Sequence, residues 1–199
     1  LILSAYHSIT LNADITVSGA GTLNLTTNNG SGGSSTGDGT VNFGAGSVIS
    51  FTNAAANPAL TIDGNAYTLL SSASQLSSVA QSGYYALATD LDAASLGTLA
   101  ATPIPVFNGT FNGLGHAISN LTINTTGASG ALYSGLFGHL ALGGLLENIS
   151  LTTVNVLIDS AYSNNTDIGT LIGLNDGTVI NAHAQGEISS CLLYTFDAA

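Results

Sequence analysis

Short runs that alternate apolar residues with Thr, Ser or Asn recur along this chain, each closed by Gly, Asn, Asp or Ser. In the run 8–17, Ile9, Leu11, Ile15 and Val17 fall on one side and Thr10 and Thr16 on the other. Similar runs occupy 21–26, 40–43, 48–51 and 60–63, then 117–123, 145–151, 154–158, 170–172 and 178–184. Alternation at period two marks a half-buried strand. Helix signals are sparse. Only 72–80, where Leu76 and Val79 form an i,i+3 pair, predicts one or two helical turns. The stretch 28–39 is Gly, Ser and Asn almost throughout and predicts a protruding, mobile loop.

The second half of the chain repeats itself. Gly115 opens Gly-His-Ala-Ile-Ser-Asn-Leu, Gly143-Gly144 opens Leu-Leu-Glu-Asn-Ile, and Asp176-Gly177 opens Thr-Val-Ile-Asn-Ala. Aligned on their asparagines, the copies put Asn120, Asn148 and Asn181 in register, and 135–138 is echoed at 170–173. Strand-rich repeats of 20–50 residues stack. One coil cannot bury both faces of its own strands, but coils stacked at about 4.8 Å complete each other's backbone ladders and close an apolar interior. The expected fold is therefore all-β, a right-handed parallel β-helix (β-solenoid). Asn120, Asn148 and Asn181 would form a side-chain stack at a corner, with Gly115, Gly144 and Gly177 supplying the tight turns. The expected core comprises Leu11, Ile15, Val17, Leu23, Leu25, Phe43, Ile62, Phe111, Ile118, Leu121, Ile123, Phe137, Ile149, Leu151, Leu171, Ile172, Val179 and Ile188.

Composition narrows the function. Hydrophobic residues make up 45% of the chain and charged residues 6%, too apolar a balance for disorder. There is no Lys or Arg against 11 Asp and Glu. Nucleic-acid binding needs cations to displace counterions, and attraction to anionic lipid needs them too, so neither partner is expected. No apolar run reaches the roughly 20 residues of a membrane span, so no direct membrane insertion is expected. The single Cys191 excludes a disulfide framework within the chain. Leu1 begins inside a polar–apolar pattern without a signal-peptide core, which reads as an internal piece of a longer protein.

At 107–121 the sequence runs Phe-Asn-Gly-Thr-Phe-Asn-Gly-Leu-Gly-His-Ala-Ile-Ser-Asn-Leu. With the lead-in at 67–70 and 84–92 and the later Ser-Gly-Leu-Phe-Gly (134–138) and Ile-Gly-Thr-Leu-Ile-Gly-Leu-Asn-Asp-Gly (168–177), it resembles the GLUG-type repeats of filamentous-haemagglutinin-like exoproteins. The resemblance covers about 67–188. Thr170 stands where such repeats usually place Gly, and Leu114 where Gln is common. The resemblance implies a right-handed β-helix, two-partner secretion through an outer-membrane partner, and a role in adhesion or aggregation at the bacterial cell surface. It carries no catalytic residue. On this reading 1–66 is generic shaft, 67–106 a lead-in with the short helix, and 107–188 the repeat coils of the same solenoid. The tail 189–199 is atypical. From Cys191 on it lacks Gly and Asn and looks like translated linker sequence, the alternative being an ordinary edge strand.

Enzymatic and cofactor readings compete with this one. A β-helical polysaccharide lyase typically works through Arg or Lys, which are absent. A glycosidase needs two carboxyls about 5–10 Å apart. Asp90 and Asp92, which at i,i+2 would share a strand face, are the closest acidic pair in sequence, with turn chemistry as the simpler explanation. His116 is either a base or a corner residue bonded to backbone, and the second is the commoner use. His7, His139 and His183 lack metal-ligand spacing. Asp63-Gly64 and Asp176-Gly177 read as turn pairs rather than calcium ligands, and the Gly-rich loop lacks a P-loop Lys. Several Asn-x-Ser/Thr triplets, among them those at Asn24, Asn108, Asn120, Asn124, Asn148 and Asn164, are what chance gives in so Asn- and Thr-rich a chain. The sequence thus predicts a secreted, non-enzymatic structural or adhesive segment without cofactor or metal, whose partners are host-cell or bacterial surface glycans or proteins. The alternative is a β-helical glycosidase, which would show a groove with two carboxyls and aromatic platforms. Trp is absent and the Tyr residues lie scattered, against that alternative.

Overall fold

The computed structural model describes residues 1–30, 39–125, 132–159 and 166–191. Residues 31–38 of the predicted loop and 192–199 of the tail lie outside them. The described residues are mostly strand and wind into a β-solenoid of about five turns. Among the described residues helix is confined to short 3-10 segments, of which Ala73–Ser78 occupies the predicted position. Its start is fixed by Gln75, whose side-chain oxygen accepts hydrogen bonds from the Ser71 and Ser72 backbone amides.

The first coils stack Ile2–Ser4 under Thr22–Thr26 under Ala59–Ile62, all parallel, with Leu3 in register with Leu25 and Leu25 with Ile62. The other walls pair Ile9–Leu11 with Val41–Phe43 and Ile15–Val17 with Ile49–Phe51. The direction then reverses. Ala59–Ile62 pairs antiparallel with Asn65–Leu70, Ile62 opposite Asn65. The two intervening residues, Asp63 at φ 49° and Gly64 at φ 81°, both have the positive φ that a two-residue type I′ hairpin demands. Beyond this hairpin the parallel stack resumes through Tyr84–Leu87, Thr110–Asn112, Leu145–Asp159 and Thr178–Cys191.

The hairpin moves the core from one face of the sheet to the other. Residues opposed in an antiparallel pair point the same way, so Leu60 and Tyr67 share a face. Leu60 and Ile62 point into the interior of the first coils, whereas Leu70, Leu87, Phe111 and Leu146 point into a second interior on the opposite side. Two hydrophobic clusters result. The first holds Leu11, Val17, Leu23, Leu25, Ile49, Phe51, Leu60 and Ile62, and it is completed by Ala86, Ala88 and Leu114 from the outer surface of the second stack. The second is built around Phe107, Phe111 and Phe137, with ring centroids 5.4–6.4 Å apart.

The 15-residue strand Leu145–Asp159 lies along three earlier strands in turn, Thr110–Asn112, Ala117–Ser119 and Thr122–Asn124. It bends around the corners at Asn148 (φ 55°) and Thr153 (φ 56°). Most of the expected core is buried. Ile15, Phe43, Leu171 and Ile172 are half-buried against it. Val179 and Ile188 are corrections: they are 38% and 47% exposed, because among the described residues no later strand covers Thr178–Cys191.

Candidate functional site

Three polar arrangements stand out, and the first is the corner stack. Asn181 Nδ2 donates to Asn148 Oδ1 at 2.9 Å, and Asn148 Nδ2 reaches Asn112 Oδ1 at 3.4 Å. Asn112, not Asn120, is the lower member. It is almost fully buried, accepts from the Leu114 backbone amide at 2.8 Å and donates to Glu147 Oε1 at 2.8 Å. Asn120 stands at the next corner. Its side chain donates to Asp92 Oδ1 and its backbone amide to the Thr152 carbonyl, in the column that continues through Thr153. Both corners require positive φ, and Asn adopts it more readily than other non-Gly residues, so identical Asn signals mark two different columns. Gly144 and Gly177 are stacked, and a Cβ on Gly177 would lie 2.5 Å from the Gly144 carbonyl.

The second arrangement joins the two stacks. Gly113-Leu114-Gly115-His116 projects into the first stack, where Leu114 is buried and its carbonyl accepts from the Ile49 amide. His116, 3% exposed, donates through Nε2 to the Ile49 carbonyl at 2.9 Å. Its Nδ1 lies 3.1 Å from Asp90 Oδ1, which also accepts from the Ala117 amide. His116 is therefore bonded to backbone within a packed corner. Asp92 caps the 3-10 turn Ala93–Leu96 through the Ala94 amide, and its carboxyl is held below the usual range by the Asn120 and Ala94 hydrogen bonds. Asp90 and Asp92 are thus each engaged by structural donors. His7 contacts Ser8, and His139 pairs with Asp176 at 2.9 Å. No group of three His, Cys, Asp or Glu placed to hold a metal occurs among the described residues.

The third arrangement is a cleft of about 350 Å3 where the first stack meets the outer face of the second. Thr40, Val41 and Asp63 line one side, and Tyr67, Tyr84, Asn112 and Glu147 the other. The ladder explains the clustering. Thr68 pairs with Tyr85, so Tyr67 lies beside Tyr84, and their ring centroids are 5.4 Å apart at 59°. Asn112 pairs with Glu147 one coil further on. Burial raises the Glu147 carboxyl above its ordinary range, against the Asn112 hydrogen bond, and Asp63 adds to the rise. Burial, with Glu147, Tyr84 and Asp63 nearby, also raises the Tyr67 phenol, which stays neutral. Both oxygens of Asp63 are already occupied, by the Thr27 amide and hydroxyl. Sequence reasoning missed this cleft. Tyr67 and Tyr84 belong to a coil much shorter than the others, and Glu147 and Asp63 meet only through the hairpin.

Two further hollows are plainer. One of about 260 Å3 continues the same junction past Gly115, Asn148 and Asn181. The other, about 490 Å3, opens beside the bulge between Leu151 and Val154 and has no aromatic lining.

A stretch of 83 residues, 42% of the chain, is 36% identical to Halomucin of Haloquadratum walsbyi. The match spans 1% of that protein, which is therefore several thousand residues long. No protein-family model matches the chain, and no solved structure matches it significantly. The chain is thus homologous, weakly and over less than half its length, to a small part of a very large protein. No helix among the described residues is long and apolar enough to cross a membrane.

Proposed function

We propose that this chain is a non-enzymatic structural and adhesive segment of a very large protein exposed at the cell surface or secreted. The observation that carries the reading is the architecture itself. Stacked coils with long parallel ladders make a stiff, extendable rod, and each coil adds length without needing a new fold. The weak homology to a part of Halomucin supports membership of a very large protein. The corner residues support the same role: Asn112, Asn148, Asn181 and His116 spend their polar atoms on neighbouring coils. The finer reading assigns the Gly-Leu-Gly-His corner and the copies after it to GLUG-type repeats of a filamentous-haemagglutinin-like exoprotein, exported with an outer-membrane partner.

The test is localisation. Antibodies raised against residues 1–191 are applied to intact cells of the source organism and to its culture medium. Labelling of unbroken cells, or recovery from the medium, is the expected result. Signal confined to permeabilised cells overturns the proposal.

A further inference from the structure

We infer that the cleft between the two stacks is a binding site for a neutral sugar, with Tyr84 and Tyr67 as the platform and Glu147 and Thr110 as the polar contacts. The inference deepens the adhesive reading and rests on it for the site's biological use.

The shape fits. A volume of about 350 Å3 lies at the small end of the range for ligand pockets, roughly 300–1,000 Å3, and suits one or two sugar rings. Tyr84 is 39% exposed, and its ring meets the Tyr67 ring at 59°, so together they form an open aromatic corner. A sugar presents apolar C–H faces and hydroxyl edges, and Tyr offers an apolar ring with a polar tip. The lining around that corner is hydroxyl, amide and carboxyl, the groups that exchange hydrogen bonds with sugar hydroxyls.

The electrostatics select among ligands. The chain has no Lys or Arg, and the cleft carries two carboxyls, so uronates, sialic acids and sulfated sugars are repelled. Asp63 accepts from two Thr27 donors and Glu147 from Asn112, so both carboxyls are stabilised without a ligand cation, and choline tests the cationic alternative. The same bonds argue against hydrolysis. Thr27 already holds both oxygens of Asp63 in a structural role, so the site is assigned binding without cleavage, which the reducing-end assay tests.

The site can be probed without a label. The chain has seven Tyr and no Trp, so its ultraviolet fluorescence is tyrosine fluorescence. Purified full chain is titrated with neutral gluco-, manno- and galacto-oligosaccharides, with glucuronate oligomers and with choline, while reducing ends are assayed in parallel. A saturable change with at least one neutral series is expected, with none for the glucuronates. Tyr84→Ala should weaken binding at least tenfold and Glu147→Gln severalfold, while Asp90→Asn should not change it. Circular dichroism checks that each variant folds, and Tyr84→Phe serves as a second, milder variant. Silence across the neutral series overturns the inference, as does a response to choline alone. Release of reducing ends overturns binding without chemistry. These outcomes leave the localisation test untouched, and a cytosolic protein that still binds sugar would overturn only the adhesive role.

Discussion

Gly115 and Gly143 provide a direct measure of how tightly the two stacks are joined. Their backbones are nearly alike, at φ +85° and +87°. A Cβ on Gly143 would meet nothing within 4 Å, whereas one on Gly115 would lie 2.4 Å from the Ser47 carbonyl and 3.4 Å from the Phe43 ring. Ala at either position carries the strain of a left-handed conformation, about 1–2 kcal/mol. Both also share any gain from a stiffer unfolded chain, which cancels in the comparison. Gly115→Ala must in addition push the strand Ile49–Phe51 away from Leu114 and His116. Overpacking of that kind costs about 1–3 kcal/mol. The expected losses are therefore about 1–2 kcal/mol for Gly143→Ala and about 2–5 kcal/mol for Gly115→Ala. Urea unfolding followed by circular dichroism reads the difference as a larger fall in midpoint at unchanged slope. Equal losses in the two variants would refute a tight junction at Gly115.

Three further outcomes are expected. Asn148→Ala should cost about 2–3 kcal/mol, from lost bonds in a buried ladder and from positive φ. Asn148→Gly, which relieves only the backbone, should recover about 1 kcal/mol of that by the same urea assay, and equal losses would show that φ is unimportant there. Glu147 holds its proton more tightly in the folded chain than the ordinary value of 4.5, so its contribution is complete below that pH and stability falls as pH rises through the raised value. Glu147→Gln should flatten that fall in urea midpoints taken from about pH 4 to 8, and an unchanged fall would clear Glu147 of it. Phe111→Ala, emptying the centre of the three-Phe cluster, should cost about 3–5 kcal/mol, measured as the shift in thermal or urea midpoint, and a loss below 1 kcal/mol would contradict the packing.

The solenoid was legible because its cause is local and repeated. Alternation fixed which side of each strand is apolar, and the recurrence of a Gly followed four or five residues later by Asn fixed that the strands stack. Two things were not legible. The Asp63-Gly64 pair reads as a turn, but nothing local distinguishes a turn that continues a coil from a hairpin that reverses it. That difference lies in which backbone amides find partners, and it relocates an entire core. The register at Asn120 failed for a similar reason. Asn marks any left-handed corner, and the four-residue projection at Gly113–His116 displaces the columns, so Asn112 rather than Asn120 meets Asn148. The cleft followed from both: Tyr67 and Tyr84 look scattered in the sequence, and only the pairing of a short coil with the reversed sheet brings them to Glu147.

The lid of the first interior has a consequence for the order of events as the chain emerges during synthesis. Ala86, Ala88 and Leu114, which close that interior, are encoded after every strand they cover. Residues 1–62 therefore appear as an open trough, with Leu60, Ile49 and Phe51 facing water until residue 116 has followed. A chain arrested shortly before Leu114 should be degraded faster than one arrested shortly after His116.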